Sequence, residues 1–281
     1  MIRRKKRMKS DKQEIRKKYS ELKEHLASLG SLVVGFSGGV DSAFLLAVAH
    51  EALGDSVVAV TARSPLVPAA DLDEATAFCR ERGIRHFTVD FDPLADETVR
   101  SNPADRCYHC KKIVFGGITD KARELGIQYV ADGSNADDVS DYRPGERAVK
   151  ELGIISPLRE AGLTKSEIRE LSKEMGLPTW EKPSAACLAS RIPYGEEITE
   201  EKLSKIEAAE DFLKGLGFTN IRVRAHGDLA RIELMPKETG RMAEEDIRKD
   251  VSYKLKELGF TYVTLDLEGY RMGSLNKKIG H

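Results

Sequence analysis

Residues 32–52 restrict the possible fold more than any other part of the chain. Leu32, Val33 and Val34 form a short, branched apolar run with the character of a buried strand. The run breaks into Ser37-Gly38-Gly39-Val40-Asp41-Ser42, and an apolar, alanine-rich helical pattern follows from Ala43 to Ala52. A strand, a glycine turn and a helix N-terminus in immediate succession make an anion site. The two glycines let backbone N–H groups come close to a phosphate, and the helix dipole favours negative charge there. Ser37 and Ser42 add hydroxyl donors. Asp41 repels a bare phosphate, so its carboxylate points to a metal ion, magnesium, between itself and the phosphates.

The pattern that follows is one of alternation. Val57-Val58-Ala59-Val60-Thr61 reads as a second strand, residues 71–82 as a helix and residues 84–89 as a third strand. A polar stretch over 90–106 carries a short apolar pattern at 94–99. Residues 111–125 then read as a helix and 128–133 as a strand ending in a turn. Strands alternating with helices predict an α/β fold with a doubly wound parallel sheet. Ligands of such sheets lie at the carboxyl ends of the strands. The glycine loop is at one such end and Gly133-Ser134-Asn135 at another. The polar run beyond holds Asp137, Asp138, Asp141 and Arg143. Its acids suit magnesium and its arginine a phosphate or carboxylate, or the run is a solvated turn. Residues 155–158 end a further strand. Thr164-Lys165-Ser166-Glu167 has the form of a capping box and opens a helix running to Met175, stopped by Gly176 and Pro178.

Residues 180–195 are irregular, since Pro183 and Pro193 exclude a continuous helix. This stretch carries Cys187, Ser190 and Arg191. The expected division is a basic tail over residues 1–18, a nucleotide-binding domain over 19–194 and a small α+β domain over 195–281. In the last, Thr199 caps a helix over 200–216. Two alternating strands, 221–224 and 229–234, flank a His226-Gly227-Asp228 hairpin turn. A helix over 244–258 and a strand over 262–267 close the chain. Arg222 and Arg224 stand two apart on one strand face, where they could clamp a phosphate or simply meet solvent. Glu210, in mid-helix, reads from its position as a surface carboxylate.

Charged residues are 32% of the 281, and the formal net charge is −1. No apolar run approaches the ~20 residues a membrane helix needs. The basic N-terminus lacks an apolar signal core, so a cytoplasmic enzyme is expected. Residues 1–18 hold ten Lys and Arg against two acids. This is a nucleic-acid arm or a solvated tail, and the acidic balance of the remainder speaks against a polyanion-binding face. Of the four cysteines, Cys79 sits in an amphipathic helix pattern and reads as core. Cys107 and Cys110 form a C-x-x-C, and Cys187 lies in the irregular stretch. Three thiolates can hold a [4Fe–4S] cluster and leave one iron open. Zinc with His109 or His226 as a fourth ligand is another option, and a Cys107–Cys110 disulfide that discharges a persulfide is a third. Arg106, Lys111 and Lys112 favour the thiolate in each case.

The glycine loop is not a Walker motif. It resembles the SGGxDS loop of the N-type ATP pyrophosphatases, which split ATP between the α- and β-phosphates and transfer AMP. SGGVDS, RCYHCKK, DGSNADDVSDYRPG, PSAACLASRIPYG and IRVRAHGDLARIEL together resemble the LarE family of ATP-dependent sulfur transferases, over about residues 32–269. The resemblance implies adenylation of the carboxylates of pyridinium-3,5-biscarboxylic acid mononucleotide, release of pyrophosphate and displacement of AMP by sulfur. One type in this family sacrifices a single cysteine just before S-R-x-P-Y-G. Here the matching position is Ala186, with Cys187 one residue along, and the C-x-x-C is present. The chain therefore resembles the type in which three cysteines, here Cys107, Cys110 and Cys187, ligate a [4Fe–4S] cluster. The same matching makes Arg222 and Arg224 ligands of the substrate phosphate. It places Ser190, Arg191 and Glu210 near the substrate. It also implies a homo-oligomer and a sulfide or other sulfur donor. A tRNA thiolase, an ammonia-using adenylating ligase and a non-catalytic nucleotide or metal sensor are the rival readings.

Overall fold

The computed structural model describes residues 2–140, 144–183 and 186–271. Helix α1 (Ile2–Ser28) leads into β1 (Leu32–Gly35), α2 (Val40–Leu53), β2 (Val57–Arg63), α3 (Ala69–Glu81) and β3 (Arg85–Asp90). The short α4 (Glu97–Arg100), α5 (Arg106–Glu124), β4 (Val130–Ala131), α6 (Pro144–Glu151), α7 (Pro157–Glu160) and α8 (Lys165–Glu174) follow. After α9 (Glu200–Gly215) come β5 (Arg222–His226), β6 (Leu229–Glu233), α10 (Thr239–Met242), α11 (Glu245–Glu257) and β7 (Tyr262–Leu265).

By their internal contacts these elements form two compact units. The first comprises Met1–Ser64, Ala69–Phe91 and Cys107–Ala185. The second comprises Pro65–Pro68, Asp92–Arg106 and Ala186–His281. The first unit is built on a parallel sheet in the order β3-β2-β1-β4, so the doubly wound α/β expectation holds. The period-two alternation of strand side chains divides its core. Leu32, Val34 and Ala59 pack with α2, α3 and α8, while Val33, Val58, Val60 and Val130 pack with Phe115, Ile118, Ala122 and Val149 from α5 and α6. Helix α2 is apolar all round from Ala43 through Ala49 because it is buried all round there. Helix α1 covers it with Ile15, Tyr19, Leu22 and Leu26, spaced four and three apart as one helical stripe. The basic segment over 1–18 is thus continuous with this helix, whose Lys12, Arg16 and Lys18 pair with Glu170, Glu174 and Glu167.

Two expectations need correction here. The strand expected to end over residues 155–158 is reduced to one parallel bridge, Ala131 to Ile155, because Pro157 opens α7. Helix α5 begins at Arg106 rather than Lys111. Asn102 and Pro103 make the entry turn, with Arg106 N–H donating to the Pro103 carbonyl at 3.0 Å, and the C-x-x-C is therefore helical.

In the second unit, β5 and β6 form an antiparallel hairpin, and β7 lies parallel to β6 on its other side. Helix α9 starts at the Thr199 cap and turns Leu203, Ile206, Ala209 and Leu213 inward. The two short segments supply edges to this unit. The Leu66 carbonyl accepts from Leu188 N–H, the Arg100 carbonyl from Ile198 and the Asn102 carbonyl from Gly195, each at 2.8 Å. Among the described residues no helix is long and apolar enough to cross a membrane.

Candidate active site

The glycine loop joins the carboxyl end of β1 to α2. Gly38 takes φ +69°, which a glycine reaches without strain, and a Cβ there would meet the Asp71 carbonyl oxygen at 3.3 Å. Ser37 and Ser42 hydroxyls lie 3.1 Å apart, Ser37 N–H reaches Ser42 Oγ at 3.3 Å, and Gly39 N–H reaches Ser37 Oγ at 3.4 Å. Gly39 stands at the N-cap and has no side chain, so no side-chain oxygen caps α2. The first-turn N–H groups thus face the loop as an anion cradle. Gly133, at the end of β4, closes it from the side. A Cβ on Gly133 would stand 2.9 Å from Ser42 N, so only glycine allows this approach.

Asp41 lies in the first turn of α2. Burial pushes its carboxyl above the usual range, with Asp138 adding to the rise, against the opposing pull of the Lys165 ammonium and the Asn135 side chain. Lys165 Nζ is paired to Asp41 Oδ2. Asp41 Oδ1 is buried without a hydrogen-bond partner among the described residues. An orphaned carboxylate oxygen beside a second acid fits a hard divalent cation such as magnesium. The neighbouring acids are already engaged. Asp132 accepts from Ser156 Oγ at 2.7 Å and from Ser134, Asp137 accepts from Lys165 N–H at 2.8 Å, and Asp138 from Asn135 N–H at 2.9 Å. Asp141 and Arg143 lie outside the described residues.

Lys165 is a site residue that the motifs do not mark. A signal does exist. Lysine at the first position of a helix opposes the dipole, where an acid is usual. The position is tolerated because its ammonium reaches Asp41.

Cys107 and Cys110 stand three apart at the start of α5 and so share one face, with Cβ atoms ~5–6 Å apart at such spacing. Cys79 is buried in the core, and burial pushes its thiol up to about 12. Among the described residues no three His, Cys, Asp or Glu side chains stand together as a metal cage. Arg106, immediately before Cys107, donates to Asn102 Oδ1 at 2.5 Å and to the Ala189 carbonyl at 3.2 Å.

In the second unit, Arg191 organises the Cys187 turn. Its guanidinium donates to the carbonyls of Ala186 and Cys187 at 2.5 and 3.0 Å and to Ser190 Oγ at 3.1 Å. Its other edge meets Glu210 in a two-pronged pair, both bonds 2.9 Å, with both side chains 4% exposed. Glu210 is therefore not the surface carboxylate its position suggests. The inward face of α9 carries it, and it also accepts from Val223 N–H of β5 at 3.0 Å. Arg224 donates to the Ser190 carbonyl at 2.7 Å and to Glu233 Oε2 at 2.8 Å. Arg222 lies over the Tyr270 ring, and burial, followed by the nearby Arg191, holds its guanidinium below the usual value. The solvated-face reading of Arg222 and Arg224 is thus overturned, because both are buried. Three buried arginines, 191, 222 and 224, stand with two buried glutamates, 210 and 233. That excess of positive charge is suited to an anionic ligand.

The NAD synthase family matches residues 9–134. An uncharacterised protein of Synechocystis is 42% identical over 260 residues, 92% of this chain and 97% of its own. A pyridinium-3,5-bisthiocarboxylic acid mononucleotide synthase of Lactiplantibacillus plantarum is 39% identical over 252 residues, 89% of this chain and 91% of its own. A tRNA-specific 2-thiouridylase of Rickettsia africae is 28% identical over 201 residues, 59% of this chain and 55% of its own. With the phosphate loop and 39% identity to that synthase over nearly the full length of both chains, the chain belongs to the LarE family of ATP-dependent sulfurtransferases.

Proposed function

We propose that the protein converts pyridinium-3,5-biscarboxylic acid mononucleotide into its thiocarboxylates in two steps. A substrate carboxylate oxygen attacks the α-phosphorus of ATP, and the Pα–O bond to pyrophosphate breaks with its electron pair leaving on pyrophosphate. Sulfur then adds to the acyl carbon, and the C–O bond to AMP breaks. The observation that carries the first step is the open N-terminus of α2 over Ser37, Gly38, Gly39, Val40, Asp41 and Ser42, with Asp41 Oδ1 left unpartnered. Backbone N–H groups and the two serine hydroxyls bind and orient the β- and γ-phosphates. Magnesium held in part by Asp41 would spread the charge that develops on pyrophosphate.

For the second step, Cys107 and Cys110 offer two thiols on one helical face, and Cys187 a third in a turn whose carbonyls Arg191 fixes. A [4Fe–4S] cluster on the three would supply sulfur at an iron without a protein ligand. Arg222 and Arg224 hold the substrate phosphate, and Ser190, Arg191 and Glu210 set the wall beside it. The small α+β unit binds substrate and joins copies of the chain, and the protein works in the cytoplasm with sulfide or another sulfur donor.

The test is anaerobic turnover with ATP, magnesium, the mononucleotide and sulfide, read as pyrophosphate and as thiocarboxylate by mass spectrometry. Cys187→Ala is expected to keep pyrophosphate release and lose thiocarboxylate, and equal loss of both rejects separate roles. Colourless, iron-free protein after anaerobic reconstitution rejects the cluster. The 2-thiouridylase similarity favours a second reading, thiolation of tRNA. It predicts dependence on added tRNA and a steep fall of activity with salt, neither of which the small-molecule reading expects.

A further inference from the structure

Lys182 reaches the phosphate loop from 144 residues away in the chain. Its ammonium donates to the Gly38 carbonyl at 3.2 Å and meets Glu74 Oε2 at 2.7 Å and Asp71 Oδ1 at 2.9 Å. A lysine has three donors, and these three acceptors use them all. The side chain is 16% exposed. The backbone around it is anchored as well. Arg169 of α8 donates to the carbonyls of Trp180 and, at 2.7 Å, Lys182, and Lys173 lies over the Trp180 ring at 4.2 Å. Neither the anion cradle nor the cation site accounts for so firm a placement of an ammonium on a loop carbonyl.

The chemistry of the peptide supplies the reason. The unit joining Gly38 to Gly39 is planar and trans, so its C=O and N–H point in opposite directions. Holding the carbonyl toward Lys182 therefore directs the Gly39 N–H the other way, where it meets Ser37 Oγ in the cradle. A peptide between two glycines is the least restrained kind, because both residues accept either sign of φ. Were it to turn over, a carbonyl oxygen would face the phosphates in place of an N–H donor. We propose that Lys182 is a positioning residue that locks the Gly38–Gly39 peptide with its N–H directed at the bound anion. Asp71 and Glu74 hold the ammonium at the correct place, on the helix against which Gly38 packs.

The proposal rests on the anion-binding reading of the loop, but its main readout needs no ligand. The full-length chain labelled with 15N-glycine is examined by NMR relaxation dispersion at the Gly39 amide, and pyrophosphate binding is measured by calorimetry. Wild type is expected to show a sharp Gly39 signal. In Lys182→Met the signal broadens through exchange on the microsecond-to-millisecond scale, and pyrophosphate binds about tenfold more weakly. Lys182→Arg, whose fork can still reach the carbonyl and both acids, keeps the sharp signal and near wild-type binding. A Gly39 amide as sharp in Lys182→Met as in wild type overturns the lock. Weaker binding with an unchanged amide also overturns it, since Lys182 would then be a plain counter-charge. If Lys182→Met fails to fold, Glu74→Gln must broaden Gly39 in part, and a sharp signal there overturns the lock. Failure of wild type to bind pyrophosphate counts against the nucleotide reading, while the amide in the ligand-free protein still decides the lock.

Discussion

One half-buried histidine makes stability depend on pH. His86 on β3 shares a 2.8 Å hydrogen bond with Thr61 on β2 and stands edge-on to Phe36. Burial lowers its imidazole pKa. The unfolded chain therefore takes up a proton near the ordinary value of ~6.5 that the folded chain refuses. Stability from this residue is present above that value and is lost as pH falls toward the lower folded value. In urea titrations at pH 5 and pH 7, His86→Gln is expected to narrow the stability gap between the two pH values. An unchanged gap removes His86 as a source of acid sensitivity. Glu210 shows how far a residue's neighbours can be read from the chain. Its position on α9 is legible, and so is the helix. Its burial is not, because the partner that makes it tolerable, Arg191, lies 19 residues earlier in a stretch without a regular pattern. The phosphate loop was legible residue by residue because its chemistry is local, made by backbone N–H groups and two serines within six positions.

At the scale of elements, α8 links several parts of the first unit. Thr164 and Glu167 close a reciprocal capping box, as the sequence suggests, and Lys18 of α1 reinforces Glu167 at 2.8 Å. From this fixed start the helix sends Lys165 to Asp41 and Arg169 to the carbonyls of residues 180 and 182. Periodicity reveals the buried face of such a helix, Ile168 and Leu171, but says nothing about what its polar face reaches. That is why the capping box was legible and the roles of Lys165 and Lys182 were not. Lys165→Met should slow pyrophosphate release roughly a hundredfold, the scale expected when one group that stabilises developing charge is removed. The capping box stays intact, so the melting temperature moves by only a few degrees. Steady-state pyrophosphate assays beside thermal melts check this, and wild-type release rates reject a role for the residue. The start of α5 is hidden from periodicity for a different reason. Asn102, with φ +57°, and Pro103 make a turn that admits a helix at Arg106, well before any apolar periodicity begins.

At the scale of the molecule, the chain passes between its two units after residues 64, 68, 91, 106 and 185. The smaller unit is therefore not a C-terminal appendix. Residues 65–68 and 92–106 belong to it, and their carbonyls at Arg100 and Asn102 are satisfied by Ile198 and Gly195. A chain ending at residue 194 loses those partners and leaves the buried Val99 and Asn102 without their surroundings. It is expected to aggregate or to give a poorly dispersed NMR spectrum, whereas a soluble, well-dispersed chain of residues 1–194 rejects this account. Linear sequence patterns reveal the sheet because βαβ units are local. They do not reveal a unit assembled from three separate segments, since composition does not change at its borders.

The five crossings also bear on how such a protein changes over generations. A unit carried on one uninterrupted stretch can be moved between genes by a single recombination event. Here no single cut separates the two units, because residues 65–68 and 92–106 of the second lie within the span of the first, so neither can be exchanged whole by one such event.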